Sequence, residues 1–124
     1  MAIQIRLADI VVDCAEEQAL CSFYVGLLGW HKTELFGHPA ATSPDGAIML
    51  LFVQEEDYVP PVWPEEEGQQ QKQVHFDFLV PNVAEAVAHA ESLGATKAAT
   101  QFGGEHFTTM LDPAGHPFCL CAEG

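Results

Sequence analysis

The dipeptides Leu28-Gly29 and Leu93-Gly94 lie about 65 residues apart, and each closes a helix-like stretch that follows a strand-like one. This internal repeat is the strongest constraint on the fold, because its period exceeds the roughly 20–50 residues of solenoid units. In the first half, residues 5–12 form an apolar, β-branched run broken by Asp9, which reads as a strand. Ala15, Glu16 and Glu17 open a helix whose first-turn acids suit the helix dipole. Ala19, Leu20, Phe23, Tyr24, Leu27 and Leu28 continue it at helical spacing, and Gly29 serves as its C-cap. Strands are expected near residues 30–36 and 40–43, then a Pro44-Asp45-Gly46 turn and a strong strand over 47–53.

The second half repeats the order. Residues 74–80 predict a strand, with His75, Asp77 and Leu79 on one face and Phe76, Phe78 and Val80 on the other. The phenylalanine face is the one expected to pack against helices. Asn82 is a plausible N-cap, Val83, Val87, Ala90 and Leu93 line one helix face, and Gly94 ends the helix. Strands follow near 96–102, 106–111 and 117–122, with the turn at 112–115 echoing that at 44–46. The last strand alternates Pro117, Cys119 and Cys121 with Phe118 and Leu120. The reading is an α+β domain spanning residues 1–124, with βαβββ units at about 5–53 and 74–122 joined by a linker over 54–73. That linker is long for a compact domain and carries Pro60, Pro61, Pro64 and an acidic run. Its Tyr58 and Trp63 either cover a pocket or pack the linker onto the sheet.

Charge and cysteine usage exclude several function classes. Eighteen acids against four bases leave a net charge of −14, which repels phosphate backbones and anionic membranes. Nucleic acid and membrane partners are therefore not expected, whereas a cationic ligand would be attracted. Cys14, Cys21, Cys119 and Cys121 form no Cys-x-x-Cys pair, and neither a leader nor a membrane-length apolar run is visible. A reducing cytoplasm is the expected compartment.

The paired βαβββ units, the Phe23-Tyr24 to Leu27-Leu28-Gly29-Trp30 helix end, and Asp112-Pro113-Ala114-Gly115 before the last strand together resemble the vicinal oxygen chelate superfamily. That group includes glyoxalase I, extradiol dioxygenases, and fosfomycin- and bleomycin-resistance proteins, and the chain looks most like small bacterial glyoxalase-like domain proteins. The resemblance implies a curled mixed β-sheet forming a cup, and a homodimer. It also implies metal ligands on the first and fourth strands of each unit, at Asp9, Leu50, His75 and Cys119. Leu50 cannot bind a metal, and Cys119 stands where a glutamate is usual. Asp9, His75 and Cys119 remain as a three-ligand set of the kind that suits zinc. It lacks the two histidines and carboxylate of extradiol oxygen chemistry.

His75 is read either as a ligand or proton shuttle, or as a hydrogen-bonded cup residue. Asp77, two residues on, is the candidate that would orient it or share proton handling, although i and i+2 neighbours rarely bond well. Cys119 is read as a ligand or as an inert, buried thiol. His31, His38, His89, His106 and His116 are expected at the surface. Trp30, Phe52, Trp63 and Phe107 are the candidate apolar walls of a ligand pocket. No phosphate-binding glycine loop and no Ser-His-Asp pattern is present.

Three functions follow. One is binding of a small cationic or aromatic molecule without turnover, as in drug-sequestering resistance proteins, over a degenerate metal site. Another is a divalent-metal-dependent lyase or isomerase acting on a carbonyl or hydroxy compound, with His75 or Asp77 managing a proton. The third is a metal-free structural module.

Overall fold

The computed structural model describes residues 3–123. The chain divides into two compact units, Met1–Glu56 and Asp57–Gly124, so the linker belongs with the second. The first unit contains β1 (Ile10–Cys14), α1 (Glu17–Leu28), β2 (His31–Leu35), β3 (His38–Thr42) and β4 (Met49–Gln54). The second contains β5 (Phe76–Val80), α2 (Val83–Ser92), β6 (Thr96–Lys97), β7 (Phe107–Leu111) and β8 (Pro117–Ala122). Each unit builds its own four-stranded mixed sheet, ordered β1-β4-β3-β2 and β5-β8-β7-β6. The first strand of each unit runs parallel to the fourth, and the other pairings are antiparallel.

The repeat extends to fine detail. Ile10 pairs with Leu50 as Phe76 pairs with Phe118. After β3 the Gly46 N–H donates to the Ser43 carbonyl at 2.9 Å, and after β7 the Gly115 N–H donates to the Asp112 carbonyl at 2.8 Å. Asp45 accepts from the Ser43 hydroxyl at 2.8 Å and the Ala47 N–H at 3.0 Å. Those bonds, the Ala47 N–H foremost, hold its carboxyl below the ordinary range. Asp112 is buried and accepts from the N–H groups of Ala114 and His116 at 2.9 and 3.0 Å.

Both helices stop where glycine permits a left-handed backbone: Gly29 has φ 67° and donates to the Val25 carbonyl, and Gly94 has φ 111°. Asn82 caps α2 by accepting from the Glu85 N–H at 2.9 Å. Helix α1 has no side-chain cap at Glu16. Glu17 instead ties its first turn to the sheet, accepting from the Gln54 N–H and from His38 Nδ1, both at 3.0 Å. The Gln54 side chain returns the contact by accepting from the Glu17 N–H at 3.3 Å. Burial pushes the Glu17 carboxyl up, but the Gln54 and His38 bonds outweigh it and leave it lowered. His38, expected at the surface, is half-buried by this clasp.

The core of the first unit is the buried face of α1 (Leu20, Cys21, Phe23 and Tyr24) against β4. Tyr24 stacks on Phe52 with centroids 5.7 Å apart and planes at 7°, a geometry that adds about 0.5–1.5 kcal/mol to the burial itself. In the second unit Phe78 meets Phe118 edge-on at 6.0 Å, and Met110, Leu120 and Ala90 are buried.

Three strand expectations need correction. The first strand starts at Ile10, not residue 5, because its partner β4 starts at Met49 and nothing in the ladder lies beside residues 3–9. Likewise β5 starts at Phe76 because β8 starts at Pro117. The sixth strand is two residues long instead of spanning 96–102. Beyond it the side chain of Gln101 stands in for a strand: its Nε2 donates to the Ala98 and Thr109 carbonyls and its Oε1 accepts from the Thr109 N–H, each at 2.8 Å.

Candidate functional site

The register of the second sheet places Asp77 of β5 beside Cys119 of β8, and Cys119 beside Thr109 of β7. Residues paired in this way project from the same face. This face is opposite to that of Phe78 and Phe118. His75, two residues before Asp77, shares it, and its Nε2 stands 3.3 Å from Asp77 Oδ1. The i, i+2 pair thus does make contact. One donor atom each from His75, Asp77 and Cys119 lies within 4.8 Å of the others.

Exposure grades across this group. Asp77 is 64% exposed and His75 38%, whereas Cys119 is buried. Cys119 Sγ contacts the hydroxyl of the fully buried Thr109 at 3.4 Å. Burial pushes the Cys119 thiol up, the Thr109 hydroxyl pulls the other way, and the Asp77 carboxylate adds to the rise. Cys119 is therefore a neutral thiol at pH 7. The Cys121 thiol is raised as well, by burial and then by Asp77 and Cys119. The adjacent row across the same face is Leu79, Cys121 and Phe107. Leu79 is 72% exposed. The face thus offers an imidazole, a carboxylate and a thiol next to an apolar row, the combination that holds an amphipathic small molecule.

The other candidates are described in turn. Asp9 belongs to the first unit, half-buried one residue before β1, at the position that matches His75. The fourth-strand match to Cys119 is Leu51, not Leu50, because Leu50 pairs with Ile10 as Phe118 does with Phe76. A one-residue shift in a strand moves a side chain to the opposite face, and Leu51 is as unable to bind a metal as Leu50. Trp30 is half-buried between α1 and β2. Phe52 is fully buried in the first core. Phe107 lies on the face just described, with its backbone and ring against Gly103, where an added Cβ would stand 2.3 Å from the Phe107 carbonyl oxygen.

Trp63 and Tyr58 pack the linker onto the second unit. Trp63 donates from Nε1 to the Thr100 carbonyl at 3.3 Å, meets Phe102 edge-on at 5.7 Å, and carries Lys72 Nζ 5.1 Å from its ring centroid. Lys72 is also paired with Glu65. Tyr58 donates to the Ala114 carbonyl at 2.8 Å and lies 3.2 Å from Nε2 of His116, which is half-buried.

Thr109 and Gln101 were not singled out from sequence. Alternation over residues 107–111 does align Thr109 with Phe107, but the register that brings it to Cys119 is a tertiary property.

Two βαβββ units, each with a parallel first–fourth strand pair, define a glyoxalase-type fold. The family pattern described as Glyoxalase-like domain matches residues 9–121. The chain belongs to this family, within the vicinal oxygen chelate superfamily that its sequence resembles. A glyoxalase/bleomycin resistance protein/dioxygenase family enzyme from Burkholderia phytofirmans is similar in fold, with TM-score 0.71, 14% identity, and 95% and 98% of the two chains covered. The fosfomycin resistance protein FosX from Mesorhizobium loti has TM-score 0.65 at 13% identity, covering 98% of this chain and 94% of its own. An integron cassette protein from the mobile metagenome of V. cholerae has TM-score 0.61 at 18% identity, with both chains fully covered. No functionally curated protein matches the chain. Among the described residues no helix is long and apolar enough to cross a membrane.

Proposed function

We propose that this protein binds a small molecule on the second sheet, with His75, Asp77 and Cys119 as the polar anchor and Leu79, Cys121 and Phe107 as the apolar floor. The convergence of the three polar groups within 4.8 Å carries this reading. Asp77 accepts a hydrogen bond or pairs with a cationic centre of the ligand. His75 holds a ligand proton or gives one up at a ring nitrogen, and Thr109 fixes the thiol of Cys119. The net charge of −14 favours a cationic molecule. Binding without turnover, as in sequestration, asks nothing more of these groups.

A second reading, metal-assisted lyase or isomerase chemistry, is favoured by the same donor set. Imidazole nitrogen, carboxylate oxygen and thiolate sulfur all suit zinc. With bonds of about 2.0–2.3 Å, a tetrahedral ion separates its ligand atoms by roughly 3.3–3.8 Å. The His75–Asp77 separation of 3.3 Å lies in that range, and all three donor atoms lie within 4.8 Å of one another. The chemistry of the donor set therefore fits a divalent ion, which His75, Asp77 and Cys119 would hold. Bound there, the ion would polarise a carbonyl or hydroxyl oxygen.

Elemental analysis of purified protein after soaking in zinc, paired with thermal-shift screening of cationic and aromatic compounds, tests both readings. Stoichiometric zinc that is lost in His75→Ala selects the metal reading. Metal-free protein whose ligand-induced shift is lost in Asp77→Ala selects simple binding. Shifts unchanged in both variants would remove this face from the function.

A further inference from the structure

Strand β6 ends at Lys97, yet the chain beyond it still addresses β7. The Ala98 N–H donates to the Thr109 carbonyl at 3.0 Å. Gln101 then donates to that same carbonyl and accepts from the Thr109 N–H, both at 2.8 Å. Both backbone polar groups of Thr109 are thus turned away from β8. Thr109 and Cys119 therefore form the antiparallel pair that shares no backbone hydrogen bond, the kind whose side chains come closest. The Thr109 hydroxyl accordingly reaches Cys119 Sγ at 3.4 Å. Two residues after Gln101, a Cβ on Gly103 would stand 2.3 Å from the Phe107 carbonyl oxygen and 2.6 Å from its ring. Only glycine fits there. Gln101 and Gly103 thus back the two residues, Thr109 and Phe107, by which β7 contributes to the candidate face.

The intervening residues meet the linker. Trp63 Nε1 donates to the Thr100 carbonyl at 3.3 Å, and its ring meets Phe102 edge-on at 5.7 Å. Trp63 therefore grips the neighbours of Gln101 on either side. It is itself held in place, with Lys72 Nζ 5.1 Å from its ring centroid and Lys72 paired to Glu65. The Val62 N–H donates to the Gln70 carbonyl at 2.9 Å and closes the loop that carries it. Every residue in this series of contacts belongs to the second unit. A binding group keeps a productive geometry only where its supporting residues are themselves locked.

We propose that Gln101 is a positioning residue of the candidate site, holding the Cys119 thiol in place through Thr109, and that Trp63 makes the linker the clamp on Gln101. The functional meaning of this support rests on the reading of the face as a ligand site.

Nuclear magnetic resonance of the full chain with isotope-labelled cysteine tests the support without any ligand. A face that binds nothing would sink the functional reading and leave this measurement standing. In the parent, Cys119 should show the Hα–Hβ couplings of a single rotamer and a nuclear Overhauser contact to Thr109. Gln101→Ala should average those couplings and lose the contact, and Trp63→Ala should shift both in the same direction. Ala90→Gly, which weakens α2 of the same unit away from these contacts, should leave Cys119 as in the parent. Where Gln101→Ala does not fold, Gln101→Glu takes its place, since it keeps an acceptor for the Thr109 N–H and loses both donor bonds. Unchanged Cys119 signals in a folded, less stable Gln101 variant would reduce the residue to a stabilising role and overturn the proposal. An equal change in Ala90→Gly would do the same. In a Thr109→Val background the Gln101 substitution should add nothing further, and an undiminished response there overturns the route through Thr109. Silence in Trp63→Ala overturns the clamp.

Discussion

Asp77 and Cys119 occupy paired positions on the parallel strands β5 and β8, so a largely exposed carboxylate stands beside a buried thiol on one face. The carboxylate adds to the rise that burial already imposes on the thiol. Their proximity makes the thiol a poor nucleophile, and a cation bound beside the pair would reverse the electrostatics for both.

Asp77→Asn removes that negative charge while keeping the shape. The Cys119 pKa should fall, though burial keeps it above the ordinary thiol value. At a fixed mildly alkaline pH, alkylation of Cys119 followed by peptide mass spectrometry should be faster in the variant than in the parent. An equal or slower rate would show that Asp77 does not govern this thiol.

Zinc binding at His75, Asp77 and Cys119 requires the Cys119 proton to leave, so affinity should rise with pH up to the elevated thiol pKa. Competition titration with a chromogenic chelator checks this. Cys119→Ser should weaken zinc binding and flatten its pH dependence.

The clasp of Glu17 with Gln54 and His38 should contribute to acid stability. Its folded-state pKa lies below the unfolded value, so its contribution is present above the unfolded carboxylate pKa and is lost as pH falls through the folded one. Denaturant midpoints measured from neutral pH to pH 3 should therefore decline less steeply in Glu17→Gln, which starts from a lower midpoint at neutral pH. Parallel curves would exclude the clasp as an acid-sensitive element.

Gln101→Ala should destabilise the second unit by about 1–3 kcal/mol, because it strips the Thr109 N–H of its partner. Equilibrium denaturation monitored by far-ultraviolet circular dichroism gives the value. Phe52→Ala, which empties the stacked core position beside Tyr24, should cost about 3–5 kcal/mol.

Local sequence determined a great deal here. Apolar periodicity located both helices, Gly29 and Gly94 marked their ends, Asn82 marked a start, and residues 117–122 were delimited as the last strand. These features depend on backbone conformations and capping bonds made within a few residues, so the chain itself records them. The repeat of the whole pattern was enough to indicate two βαβββ units. Alternation also put His75 and Asp77 on one face, since strand geometry alone settles that.

Tertiary structure decided what depends on a partner distant in the chain. Residues 5–9 have every local mark of a strand and are not one, because pairing requires a neighbour and β4 starts too late to supply it. Gln101 replaces a strand through bonds to Ala98 and Thr109 that no propensity foretells. The shift from Leu50 to Leu51 as the match for Cys119 follows from a register of single-residue precision, which hydrophobic runs such as Met49–Val53 do not encode. The contact of Cys119 with Thr109, and with it the composition of the candidate site, follows from the same cause: cross-strand neighbours are chosen by the packing of the whole sheet.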